Sequence, residues 1–301
     1  MPHTILETLW QRSVSPESEN ADSWEVEMET LYRLGISMED TMRYLYSEKP
    51  THENFKNWVD ANRKDTVEPD DLREDVLTPE DLDFYNTNGY VIVRKAICKP
   101  DCEATQKAIW DFLRMSPDDK TSWYVRHEEQ RGLMVSFFDH ETLNKNRFSA
   151  RIKKAYQQLY KTQKVYRTID KVSFNPPENN HFTYLGSALH WDVSLKTPIP
   201  FALQGLLYLT DCGPDDGAFH CVPGFHKTIE NWLANVRPHE SPRDKALQTL
   251  TPIPIAANAG DFIIWNNTLP HCATPNRGKA PRMVQYLSYL PEGYKAASEF
   301  I

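Results

Sequence analysis

The stretch Ala188-Leu189-His190-Trp191-Asp192 constrains this chain more than any other. In an extended segment side chains alternate with period two, so His190 and Asp192 project from one face and Trp191 from the other. An imidazole beside a carboxylate is most of a metal site. A second histidine from another strand would complete a 2-His-1-carboxylate facial triad, which holds Fe(II) by three ligands on one side and leaves the opposite positions open. On its own the pair also describes a surface histidine beside a solvated aspartate, in a chain with ten histidines.

Residues far downstream change that balance. Gly260-Asp261-Phe262-Ile263-Ile264-Trp265 reads as a turn followed by a buried strand, and Leu269-Pro270-His271 comes next. After turn residues Pro275, Asn276 and Gly278, the run Pro281 to Tyr289 has another strand pattern. His271 is thereby the candidate second histidine. Arg282 opens the last strand eleven residues past it. A guanidinium there can fork onto a carboxylate in bidentate fashion, which a lysine point charge cannot do.

His190-x-Asp192, His271 and Arg282 together resemble the phytanoyl-CoA dioxygenase (PhyH-like) family of Fe(II)/2-oxoglutarate oxygenases. Gly205 to Asp211, Gly217 to Lys227 and the helix-strand run from Thr78 to Lys95 are similar to that family too, so the likeness spans roughly residues 78 to 291. The resemblance implies His190, Asp192 and His271 as iron ligands and Arg282 as partner of the distal carboxylate of 2-oxoglutarate. It places Tyr208 near that co-substrate. Cys272-Ala273-Thr274 replaces a more hydroxyl-rich stretch of some relatives, which leaves Thr274 as the candidate second contact to the carboxylate. The implied reaction consumes O2 and 2-oxoglutarate, releases succinate and CO2, and hydroxylates an unactivated C–H bond. Related halogenases carry a small residue where this chain has Asp192, so hydroxylation is expected and chlorination is not.

Strand alternation extends the site. From Leu203 to Thr210, Gln204, Leu206, Tyr208 and Thr210 share one face, and Arg282 shares its face with Val284, Tyr286 and Ser288. A buried amide without partners is costly, so Gln204 is expected to face a pocket, with Tyr286 and Ser288 beside it. The aperiodic segment between Asp118 and Phe148 reads as loops, which commonly carry substrate contacts. Arg126, His127 and Arg131 in it are candidates for an anionic group on the substrate, against the bland reading of solvated surface charge. His220 and His226, near a Pro-Gly turn, read as structural.

The fold class expected is mainly β with helical additions, a double-stranded β-helix (jelly roll, cupin-like) core with an N-terminal helical module. The expected boundaries are a mobile tail over 1–20, a small helical module over 21–64, an acidic linker over 65–77 and the oxygenase domain over 78–301. The module's aromatics suit a buttress packed on the barrel, or a surface for a protein partner, because helices this short are marginal without packing. A net charge of −8 argues against a nucleic-acid footprint. The chain has no long apolar run for a membrane and no signal-peptide pattern at its start. Five dispersed cysteines outside any C-x-x-C pair suit free thiols in a reducing, cytoplasmic setting. A small-molecule substrate is expected, an amino acid or natural-product intermediate before an acyl-CoA, because no clear basic cluster suits the CoA phosphates. The competing class is a cupin-like metal-binding protein or isomerase that does not use 2-oxoglutarate.

Overall fold

The structure, a computed structural model, describes residues 2–14, 24–64, 71–183, 186–237, 239–297 and 299. Four helices come first: α1 (Pro2–Val14), α2 (Trp24–Arg33), α3 (Met38–Glu48) and α4 (His52–Asn62). The hydroxyls of Ser37 and Thr51 cap α3 and α4 by accepting the N–H groups of Asp40 and Asn54, which satisfies a donor that the first turn leaves orphaned. The four helices share one apolar cluster that includes Leu6, Leu9, Leu31, Leu45, Phe55 and Val59. Residues 2–14 are therefore helical and packed, which corrects the mobile tail expected over 1–20. Leu6 and Leu9 are spaced for one helical face, a stripe too short to stand out in a polar segment. Residues 15–23 lie outside the described residues.

The same holds for 65–70 of the acidic linker. The rest of that segment is docked, not free: Asp71 accepts from Gln157 at 2.9 Å and pairs with Lys153 at 2.8 Å, and Leu77 is buried. Helices α5 (Pro79–Asn88), α6 (Lys99–Leu113), α7 (Glu141–Arg147), α8 (Ala150–Tyr160), α9 (Ile229–Ala234) and α10 (Pro242–Thr249) surround the sheets that follow. The strands are β1 (Tyr90–Val93), β2 (Gln130–Arg131), β3 (Met134–Val135), β4 (Val165–Arg167), β5 (Val172–Asn175), β6 (Leu203–Tyr208), β7 (Phe219–Cys221), β8 (Ile253–Ile255), β9 (Phe262–Asn266), β10 (His271–Ala273), β11 (Arg282–Tyr286) and β12 (Tyr289–Pro291). Seven of them form one sheet in the order β1-β9-β6-β11-β5-β3-β2, three form a second in the order β10-β7-β8, and β12 pairs with β4. The pairs are antiparallel. β4 and β5, close in sequence, thus belong to different sheets.

Period two decides which face each residue meets. Leu203 and Leu207 of β6, with Phe262, Ile264 and Met283, face helices α6 and α8 through Ile109, Leu113, Ile152 and Tyr156. Leu206 and Tyr208, with Ile263, Trp265 and Val284, face the smaller sheet through Phe219, Cys221 and Ile255. Two sheets packed over an apolar interior, with helices backing the larger one, make the jelly roll expected from the sequence. The described residues contain no helix long and apolar enough to cross a membrane.

The helix-backed face is tight at Gly205. A Cβ there would lie 2.3 Å from the Tyr156 hydroxyl and 2.5 Å from Cζ of Phe262. Overpacking of this kind costs roughly 1–3 kcal/mol. Gly205→Ala should therefore lower stability by about that amount in urea unfolding, and an unchanged midpoint would show that this face is looser than described.

Candidate active site

The apolar half of the His190 segment anchors its polar half. Trp191 is 2% exposed, its indole N–H donates to the Thr268 carbonyl at 2.8 Å, and its ring packs on Phe225 and Trp232. With Trp191 turned into the core, His190 and Asp192 turn into the space between the sheets. The expected strand shrinks to one rung here. His190 and His271 exchange reciprocal backbone hydrogen bonds of 3.0 and 2.9 Å, which extends the smaller sheet past β10 by a single residue. The ladder goes no further, because the Leu269 N–H turns to the Asn266 carbonyl at 2.9 Å, and Arg243 of α10 fixes the far side of the segment, donating to the carbonyls of Trp191 at 2.8 Å and Val193 at 3.0 Å. No spacing signal pointed to Arg243, since its contacts lie fifty residues away.

One ligand atom from each of His190, Asp192 and His271 lies within 4.8 Å of the others. The Nε2 atoms of His190 and His271 stand 3.4 and 3.1 Å from the two Asp192 oxygens. Each Nδ1 lies against a main-chain carbonyl, Ala188 at 2.8 Å and Leu269 at 3.1 Å. A carbonyl there takes the Nδ1 proton and leaves the Nε2 lone pair for the centre, the usual orientation of an imidazole metal ligand. Gln204 donates to Asp192 at 2.7 Å and accepts from the Trp265 indole at 3.1 Å, so its amide is satisfied while it faces the cavity. Burial pushes the Asp192 carboxyl up, but its contacts with His190, His271 and the Gln204 amide hold it well below the ordinary carboxylate range. The Asp192 side chain is still 50% exposed against 7% for His271, so the cluster opens toward the cavity. Two imidazoles presenting Nε2 and one carboxylate are a donor set that fits a divalent metal with positions left for other ligands.

The cavity between the sheets measures ≈ 500 Å3. Arg282 forms part of its floor, 2% exposed, directly opposite Asn175 and 5.3 Å over the ring of Tyr208. Its Nε and Nη1 are buried and have no hydrogen-bond partner among the described residues. A buried cation in that condition is expensive and calls for an anion.

Tyr208 supports Arg282 but offers no free hydroxyl. That group donates to the Ile255 carbonyl at 3.0 Å and accepts the Phe219 N–H at 2.9 Å, so the expected co-substrate contact becomes a ring beneath the guanidinium. Thr274 is corrected further. Its hydroxyl turns to His220 at 3.5 Å and its residue is absent from the cavity lining, where Cys272 and Ala273 stand instead. Gln204, Tyr286, Ser288 and Arg131 line the cavity as expected, although the Ser288 hydroxyl already accepts the Gly205 N–H. Arg126 is exposed and outside it. His127 is buried against Phe112 and accepts the Glu129 N–H, so it is a packing residue. Lys171 and Ser187 line the cavity unanticipated. Alternation along β5 from Asn175 would have found Lys171.

The sequence profile of phytanoyl-CoA dioxygenase (PhyH) matches residues 85–284. A Dictyostelium discoideum protein whose name places it among the phytanoyl-CoA dioxygenases is 21% identical over 262 residues, covering 69% of this chain and 74% of its own. Among solved structures, the non-heme alpha ketoglutarate dependent epimerase SnoN from nogalamycin biosynthesis aligns with a TM-score of 0.52 at 19% identity, covering 72% of this chain and 84% of that one. HygX from Streptomyces hygroscopicus, with nickel and 2-oxoglutarate bound, aligns with a TM-score of 0.54 at 17% identity, covering 73% and 89%. At these identities the structural likeness establishes the fold.

If the three side chains form one ligand set, each is indispensable. Loss of an outer-shell partner alone costs 10–100-fold in metal affinity, so Asp192→Ala and His271→Ala should each weaken binding by more than about 100-fold. Equilibrium dialysis with metal analysis reads this directly, and stoichiometric metal in Asp192→Ala would remove the carboxylate from the set.

Proposed function

The chain belongs to the phytanoyl-CoA dioxygenase family, and from that premise we propose that it is an Fe(II)- and 2-oxoglutarate-dependent oxygenase that hydroxylates a small metabolite. His190, Asp192 and His271 hold the iron. Arg282 carries the reading: it is a buried guanidinium whose Nε and Nη1 have no acceptor among the described residues, facing the same cavity as the ligand set. A metal site that did not use 2-oxoglutarate would have no need of it.

Bound iron supplies O2 activation coupled to oxidative decarboxylation of 2-oxoglutarate to succinate and CO2. The chain's own residues bind and orient. Arg282 would receive the distal carboxylate through its unpartnered donors, and the Tyr208 ring beneath it adds a cation–π contact. Leu206, Phe219 and Trp265 make the cavity wall apolar near the metal ligands, which keeps bulk water from the reacting centre. Gln204 keeps Asp192 turned toward both imidazoles. Asp192 also bears on the outcome, because a carboxylate in that position occupies the place a halide would need. The named activities of structural neighbours include an epimerase and a carbocyclase, so the fold alone does not select hydroxylation.

The test is anaerobic titration of the Fe(II) protein with 2-oxoglutarate, followed by the visible charge-transfer band of the bidentate chelate. Truncating one partner of a buried charge pair costs 2–5 kcal/mol, so Arg282→Ala should weaken 2-oxoglutarate about 30- to 5,000-fold while metal affinity holds. Equal affinity in the variant would turn the reading toward a metal protein that does not use 2-oxoglutarate. Oxygen from 18O2 in the product identifies hydroxylation, and a product without it would assign another oxidation.

A further inference from the structure

We infer that the substrate presents an oxyanion, a carboxylate or a phosphate, to Arg131 at the mouth of the cavity. The inference rests on the oxygenase reading of that cavity and adds the chemical class of what enters it.

The strand register places Arg131 on the reacting side. Arg131 lies opposite Met134, Met134 opposite Ser173, and Ser173 opposite Val284. Directly opposed residues share a face, and Val284 shares its own with Arg282, so Arg131 projects from the same face as the buried guanidinium, at the open edge of the sheet. Lys171 is two residues before Ser173 and lies on that face as well, where both it and Arg131 line the cavity.

The neighbouring charges are matched, and Arg131 is left over. Lys171 pairs with Glu39 at 2.6 Å. Arg43 forks onto Glu129 at 3.1 and 2.9 Å. Asp170 accepts the Lys171 N–H at 2.7 Å beside the buried Arg147, which donates to the Asp170 carbonyl at 2.8 Å. Of the acids in the cavity wall, Asp192 belongs to the metal ligand set and Asp170 is engaged in this way. The guanidinium of Arg131 has no ion pair or hydrogen bond among the described residues.

The segment that carries it is fixed. Glu39 and Arg43, one turn apart on α3, hold the two ends of the β2–β3 hairpin: Ser136 donates to Glu39 at 3.0 Å, Glu129 receives Arg43, and Ser136 N–H closes onto the Glu129 carbonyl at 2.8 Å. The tip between them, Arg131 to Met134, turns through Gly132 at φ 60° and overhangs the cavity. A planar, uncompensated fork on an anchored hairpin suits an oxyanion better than a neutral or cationic group.

The probes are inorganic phosphate and acetate, titrated against protein loaded with Mn(II) and saturating 2-oxoglutarate. Paramagnetic relaxation of the 31P or 13C nuclei reports anions close to the metal. Saturable enhancement is expected in the wild type, and the tighter of the two probes indicates which oxyanion the site prefers. A charge-assisted hydrogen-bonded contact contributes about 1.5–3 kcal/mol, so Arg131→Ala and Arg131→Gln should weaken it roughly tenfold or more, while Arg126→Ala leaves it unchanged. No saturable binding of either probe, binding indifferent to Arg131, or binding that only competes with 2-oxoglutarate would overturn the inference. A normal charge-transfer band with Fe(II) in the same preparation would show that the co-substrate reading survives that failure, and its absence would show that the oxygenase reading itself had failed.

Discussion

The site depends on one backbone pairing, the reciprocal hydrogen bonds between His190 and His271. Two residues eighty positions apart become the terminal rung of the smaller sheet, and both are candidate metal ligands. Each such bond contributes only about 0.5–1.5 kcal/mol net, so the rung needs reinforcement. Trp191 provides it from the core side, and Arg243 from the edge facing away from β10, by donating to the carbonyls of Trp191 and Val193. The bend that follows brings Asp192 back between the two imidazoles. An uninterrupted strand would carry it along the ladder, away from His271.

The parts of this arrangement that were legible in the sequence are those governed by period two. Gln204 with Leu206 and Tyr208, and Arg282 with Tyr286, share a face because alternation leaves them no other, whereas His190 and Asp192 reach the cavity together through one rung and a bend. What the sequence did not reveal depends on the third dimension. Nothing in the residues around Tyr208 announces that Ile255 and Phe219 will consume its hydroxyl. Thr274 follows Ala273 by one position, so the alternation that aims Ala273 into the cavity turns Thr274 away toward His220. The helix over 2–14 was missed because two leucines suffice to bury it once three other helices supply the rest of the core.

Arg282 shows how function is written against stability. Its position opposite Asn175 and over Tyr208 buries a cation that the protein leaves short of acceptors. An apolar residue of similar size would sit there at less cost, since buried charges are at best weakly stabilising. Such a departure from a satisfied core is expected where binding energy is wanted, because an anion meeting preorganised donors need not wait for the protein to reorganise.

The four N-terminal helices extend the same logic to the cavity mouth. Their interior is their own, built from Leu31, Leu45 and Phe55 among others, yet their contacts with the barrel are largely polar. Arg33 reaches Glu292, Lys64 pairs with Asp139, and α3 grips the β2–β3 hairpin through Glu39 and Arg43. Charged contacts of this kind contribute little to stability when exposed, but they fix geometry where several converge. Here they converge on the strand ends that bear Arg131 and Lys171, so the helices act on the cavity by holding its wall. Variation in the hairpin tip could then change what the cavity accepts without disturbing the metal ligands, because the two are carried by different sheets.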